Sequence, residues 1–158
     1  MDSRARASTK HSARGRCDEH EARARMQEDL ANAAATGNTE CVEHLLQSGA
    51  DVNGTNRFGR TPVQVMMMGS ARVARLLLSH GADPNVQDAS THATPLHDAA
   101  RGGFQDTVRV LLEFKADPEL RDSRGHTAAE RAREHGHEHT AEIIHNHKTT
   151  MKTTAKQQ

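Results

Sequence analysis

Between residues 94 and 117 the apolar positions form two short stripes separated by a glycine pair. Leu96, Ala99 and Ala100 stand at i, i+3 and i+4, as do Val108, Leu111 and Leu112, the spacing that lines one face of an α-helix. Thr94 is placed to cap the first helix, and Pro95 suits its first position because the N–H it lacks would be unpaired there anyway. Gly102 and Gly103 supply the turn, and the spacing predicts the second helix from about Asp106 to Phe114. Neither stripe is wide enough to bury itself alone, so the unit needs copies of itself to stack on.

The copies are present at a fixed period. Thr61, Thr94 and Thr127 are separated by 33 residues each and open TPVQ, TPLH and TAAE. Paired leucines Leu45-Leu46, Leu77-Leu78 and Leu111-Leu112 precede Gly49-Ala50-Asp51, Gly81-Ala82-Asp83 and Lys115-Ala116-Asp117. Leu30 stands 15 residues before Leu45, as Leu96 does before Leu111, so a first unit with an eroded opening begins near Glu28. A helix-turn-helix repeat of this length is of the ankyrin type. The expected fold is therefore an all-α repeat, an ankyrin solenoid of four helix-turn-helix repeats with projecting β-hairpin loops. The first hairpin would be the DVNGTNRFGR loop, which carries Gly54 and Gly59.

Repeat 2 departs from the pattern: Val63 to Leu77 spans 14 residues where the matching intervals span 15. Its first helix, which also carries β-branched Val63 and Val65, is expected to be short or irregular, with the Met66-Met67-Met68 run filling core gaps rather than holding a ligand. Repeat 4 has lost Pro and Leu from its opening and is rich in polar residues, as a terminal cap whose outer face meets water should be. The chain accordingly divides into a disordered basic tail over 1–25, an ankyrin domain over 26–147 and a disordered basic tail over 148–158. The repeats fall at about 28–60, 61–93, 94–126 and 127–147.

Composition narrows the function classes. Aromatic residues make up 2% of the 158, with no Trp or Tyr, which argues against a large aromatic small-molecule pocket. Cys17 and Cys41 are too few and too ill-spaced for a disulfide framework, which fits a reducing interior. No apolar run approaches a membrane span, so no membrane partner is expected. The net charge of zero conceals a division: 1–25 carries seven basic against four acidic side chains and 145–158 three basic and no acidic ones, leaving 11 against 17 between them. A central solenoid at −6 favours a basic protein partner and disfavours nucleic acid.

His135 and His139 would share a helix face at i, i+4, but Gly136 interrupts the helix and no second His completes an HExxH motif. Neither a GxSxG nor a GxxxxGK[ST] motif occurs. The chain therefore reads as a non-enzyme without cofactor or metal. What remains is a binding surface. With Leu96, Ala99 and Ala100 turned to the stack, Asp98 and Arg101 are left on the side lining the concave groove, and Asn32, Val65 and Arg131 correspond to them. Asp106 and Glu40 lie near the starts of second helices, where a carboxylate also suits the helix dipole.

Residues 57–85, RFGRTPVQVMMMGSARVARLLLSHGADPN, and 95–107, PLHDAARGGFQDT, closely resemble the four-ankyrin-repeat inhibitors of the cyclin-D-dependent kinases, a similarity spanning roughly 26–144. The resemblance implies a stoichiometric inhibitor that binds cyclin-dependent kinases 4 and 6 beside the ATP cleft, twists the lobes apart and opposes both ATP and cyclin. It implies contacts from Glu40, Asp88, Asp98 and Asp106, a short first helix in repeat 2, a monomer, and action in the cytoplasm and nucleus. A general ankyrin adaptor that holds another basic protein without inhibiting it is the alternative. The sequence departs from the family's pattern at Cys41, where relatives often have a second acid, and at Lys115, which replaces the loop glycine.

Overall fold

The computed structural model describes residues 21–157, with side chains through 150. Among the described residues eight helices pair into four units. Helix α1 covers 21–36 and pairs with α2, Thr39–Gln47. Then come α3, Pro62–Val65, and α4, Ala71–Ser79; α5, Pro95–Gly102, and α6, Gln105–Glu113; and α7, Ala128–Glu134, and α8, Glu138–Gln157. The second helices stack α2 on α4 on α6 on α8, while α5 packs on α7 in the other layer. One core runs through the stack from Leu30 to Ile144, with the paired leucines of α4 and α6 at 4% exposure or less. Its inner layer is built from small side chains, Ala33, Ala34, Ala99, Ala100, Ala128 and Ala132, which let neighbouring repeats approach closely. No helix among the described residues is long and apolar enough to cross a membrane.

The repeat openings behave as their sequence dictates. The buried Thr94 hydroxyl accepts from the His97 amide, and Thr127 does the same for Glu130, each at 3.3 Å. In repeat 2 the first helix is cut to the four residues of α3, and the chain it releases finds partners in both neighbours. Met67 N donates to Ala34 O at 2.8 Å and Thr107 Oγ1 to Met68 O at 2.5 Å, so the lost helical turn leaves its backbone satisfied. Of the three methionines, Met66 is buried, Met68 half-buried and Met67 exposed.

Three expectations change. The loops between repeats are tight turns, not β-hairpins: no strand occurs among the described residues. Asn56 accepts from the amides of Phe58 and Arg60, and Asp122 from those of Arg124 and His126. These side chains take the donors a ladder would use. At the N-terminal side, helix α1 already runs at residue 21, within the stretch expected to be disordered over 1–25; residues 1–20 lie outside the described residues. Gln27 anchors α1 by bonding both O and N of Asp51, at 2.9 and 2.8 Å. At the other end, the expected disordered tail over 148–158 continues α8 through Gln157. Nothing after Gly136 breaks a helix, because no Gly or Pro follows it. Lys148 Nζ also reaches Glu119 at 2.7 Å, tying the helix to the preceding loop.

Amide side chains link the loops in series. Asn53 donates to Gly81 O at 2.9 Å and accepts from Asp83 N at 2.8 Å. One repeat later, Asn85 donates to Lys115 O at 3.3 Å and accepts from Asp117 N at 2.6 Å. Lys115, where two loops earlier have glycine, adopts φ 72°, a left-handed conformation that disfavours a β-carbon.

Candidate functional site

His97 shows how the TPLH opening builds the centre of the concave face. Its ring is buried; Nδ1 accepts from Thr94 N at 3.2 Å, and Nε2 stands 2.9 Å from His126 O. This arrangement fixes the Nε2–H tautomer and ties the first helix of repeat 3 to the loop that leads into repeat 4. Asp98, the next residue, is thereby held at the groove wall beside the loops that carry Asp88 and Asp122.

The structure brings Asp88, Asp98 and Arg101 into one groove of about 490 Å³, bordered also by Arg60, Asp122 and Arg131. Asp98 and Arg101 border a second hollow with Met66, Met68 and Phe104, and Phe104 and Asp106 border a third. The shared residues make one continuous face from Asp88 to Asp106. Glu40 does not join it. It sits exposed in the first turn of α2, where its charge suits the helix dipole. The positions matched to Asp98 and Arg101 diverge: Asn32 is exposed, Val65 half-buried, and Arg131 is drawn into the groove floor.

The two groove carboxylates have opposite characters. The Ser90 hydroxyl and the amides of Ser90 and Thr91 hold the Asp88 carboxyl at about 2. Burial pushes the Asp98 carboxyl above its ordinary value despite the Arg101 guanidinium, which stands 3.8 Å away. Asp98 is therefore a carboxylate whose charge its own surroundings leave under-compensated. Asp106 is largely solvated and pairs with Arg109 at 3.3 Å.

Sequence patterning left Asp122 unassigned. Its side chain is 4% exposed, and Arg131 meets it through Nη2 at 2.6 Å and Nε at 2.7 Å. Burial alone would raise its carboxyl, but the His126 amide, Arg131 and the Arg124 amide outweigh that and bring it below its ordinary value. The usable signal was an Asx residue five or six positions ahead of each cap threonine: Asn56, Asp88 and Asp122. Charge in the groove is also more balanced than the −6 of the middle segment suggests, since Arg60, Arg101, Arg124 and Arg131 face Asp88, Asp98, Asp122 and Glu134.

The histidines of repeat 4 do not converge. His135 turns Nδ1 to Arg131 O at 3.0 Å and His139 meets Glu142 at 3.8 Å. Among the described residues no three His, Cys, Asp or Glu side chains are placed to hold an ion.

The family described as "Ankyrin repeats (3 copies)" matches residues 17–88 and 69–155. The chain is 53% identical over 116 residues to "Cyclin-dependent kinase 4 inhibitor B" of Bos taurus, covering 73% of this chain and 88% of that protein. It is 55% identical over 114 residues to the Homo sapiens protein of the same name, covering 72% and 83%. To "Cyclin-dependent kinase inhibitor 2A" of Homo sapiens it is 51% identical over 115 residues, covering 73% and 74%.

Proposed function

Because the chain belongs to the ankyrin-repeat inhibitors of cyclin-dependent kinases, we propose that it is a stoichiometric, non-enzymatic inhibitor of cyclin-dependent kinases 4 and 6. It binds the cyclin-free kinase as a monomer and opposes the engagement of cyclin and ATP, in the cytoplasm and nucleus. The observation that carries the reading to particular residues is the groove in which Asp88, Asp98 and Arg101 meet. A kinase arginine or lysine entering there finds one carboxylate kept fully ionised by its loop and a second whose charge is poorly compensated, both in a concave wall that limits water. Asp106 lies toward the rim and contributes less, and Glu40, remote from the groove, contributes least. The middle segment carries 17 acidic against 11 basic side chains, and this excess argues against nucleic acid as the partner.

The test is to mix the purified protein with cyclin-free cyclin-dependent kinase 4, and separately 6, and measure complex mass and residual activity after cyclin D addition. A one-to-one complex with suppressed activity is expected. A complex whose kinase remains fully active would instead indicate an adaptor, and no complex with either kinase would overturn the proposal.

A further inference from the structure

The two oxygens of Asp88 are used unequally. Oδ1 accepts the Ser90 hydroxyl at 2.6 Å and the amides of Ser90 and Thr91 at 2.8 and 3.1 Å, so the loop itself fixes the carboxylate. Oδ2 faces the groove, where it meets Arg60 Nη2 at 3.2 Å. Arg60 comes from the loop of the preceding repeat. Its side chain is 52% exposed, and it makes no other ion pair among the described residues. Arg131, in the same groove, is its opposite: 14% exposed and clasped by Asp122 at 2.6 Å and Glu134 at 2.8 Å.

We propose that Arg60 is a displaceable occupant of the partner's cation site: in the free protein it covers Asp88 Oδ2, and an arginine or lysine of the bound kinase takes its place. The inference rests on the kinase reading of the groove and adds an internal competitor to it. Arg60 is suited to leaving because it is held at one point and returns to water when it swings away, and an exposed pair of this kind is weak. Asp88 is suited to exchange because it does not depend on Arg60 for its charge. The Ser90 hydroxyl and the Ser90 and Thr91 amides are the main causes of its low value, and Arg60 is the least. The other acids of the face differ. Asp98 with Arg101 and Asp106 with Arg109 are i, i+3 pairs within one helix, so those arginines stay close whatever docks. Arg60 and Asp88 stand on separate loops.

The test compares wild type with Arg60→Gln, Arg72→Gln, Asp88→Asn and the Arg60→Gln/Asp88→Asn double variant. Each is titrated calorimetrically into cyclin-free cyclin-dependent kinase 4. Arg72 is exposed on α4, outside the groove and without an ion pair among the described residues, so its removal measures the effect of lost positive charge alone. Arg60→Gln is expected to bind about two- to fivefold tighter, Arg72→Gln to stay close to wild type, and the double variant to bind no tighter than Asp88→Asn. The Asp88 carboxyl, followed by NMR, should still titrate at about 2 in Arg60→Gln. The proposal is overturned by an Arg60→Gln affinity equal to or below wild type. It is equally overturned by matching tightening in Arg72→Gln, by tightening that persists without the Asp88 charge, or by an Asp88 carboxyl that returns to its ordinary range. If wild type itself forms no complex, the kinase reading falls and this inference with it. If wild type binds and Arg60→Gln does not tighten, this inference alone falls.

Discussion

Replacing Asp122 with alanine tests whether the cap repeat is locked by one buried carboxylate. Oδ1 accepts the Arg124 and His126 amides at 3.0 Å each, and Oδ2 accepts Arg131 at 2.6 and 2.7 Å. Two amide hydrogen bonds are worth about 1 kcal/mol each, and stripping a partner from a buried ion pair costs about 3–5 kcal/mol. Arg131 keeps Glu134 at 2.8 Å, and these contributions overlap, so the net loss for Asp122→Ala should be about 3 kcal/mol. Asp122→Asn keeps an oxygen for the two amides and loses only the charge, and should cost about half as much. Urea unfolding followed by far-ultraviolet circular dichroism resolves both, since a slope of about 2 kcal/mol/M turns the first loss into a midpoint shift of about 1.5 M. The pH dependence has a definite sign. Folding lowers the Asp122 carboxyl below 3.8, so its contribution is present above that value and is lost as pH falls through the lower, folded value. The gap between wild type and Asp122→Asn should close on acidification. A loss below about 1 kcal/mol for Asp122→Ala, or equal losses for the two variants, would refute the lock.

Lys115→Gly relieves a left-handed φ of 72°; the gain, net of the extra freedom of glycine in the unfolded chain, should be about 0.5–1 kcal/mol, seen as a higher melting temperature. Asp98→Asn removes a carboxylate whose ionised form burial disfavours. Thermal stability at neutral pH should therefore hold or rise while kinase binding weakens by about 2 kcal/mol or more; unchanged affinity in a folded variant would remove Asp98 from the interface. Asn53→Ala deletes the bonds to Gly81 O and Asp83 N and should cost about 1–2 kcal/mol in thermal unfolding, whereas loss of a solvated side chain with no linking role would cost almost nothing.

What sequence could show was local and periodic. The cap threonines, the leucine pairs and the curtailed α3 all follow from spacing within one unit, because a helix face and its capping residue are only a few positions apart. The missing residue in repeat 2 is even balanced within that repeat: Asp88 stands six residues before its cap threonine where Asn56 and Asp122 stand five. The candidate site was partly legible for the same reason, since Asp98 and Arg101 lie on a helix face fixed by periodicity. Arg60 with Asp88, Arg75 with Glu113 and Thr107 with Met68 O join residues 28, 38 and 39 positions apart, and no pattern within a unit announces them. The tail was misjudged for a different reason. Low hydrophobicity argued for disorder, but residues 148–157 extend a helix already nucleated by the buried Thr140, Ala141 and Ile144, and lengthening a helix is far less costly than starting one.

The amide links between loops carry a consequence for how many units the array can hold. Each link needs a side chain that donates to one backbone group and accepts from the next, which Asn53 and Asn85 do. The third position of the series, two residues after Asp117, is Glu119. A carboxylate can only accept, so it cannot make the two-way bond that would seat another loop; Lys148 of α8 meets it instead. The series of two-way links therefore stops at Glu119. Duplicating residues 94–126 in tandem would give a unit whose loop meets Glu119 rather than Asn, and the five-unit chain should come apart first at that seam.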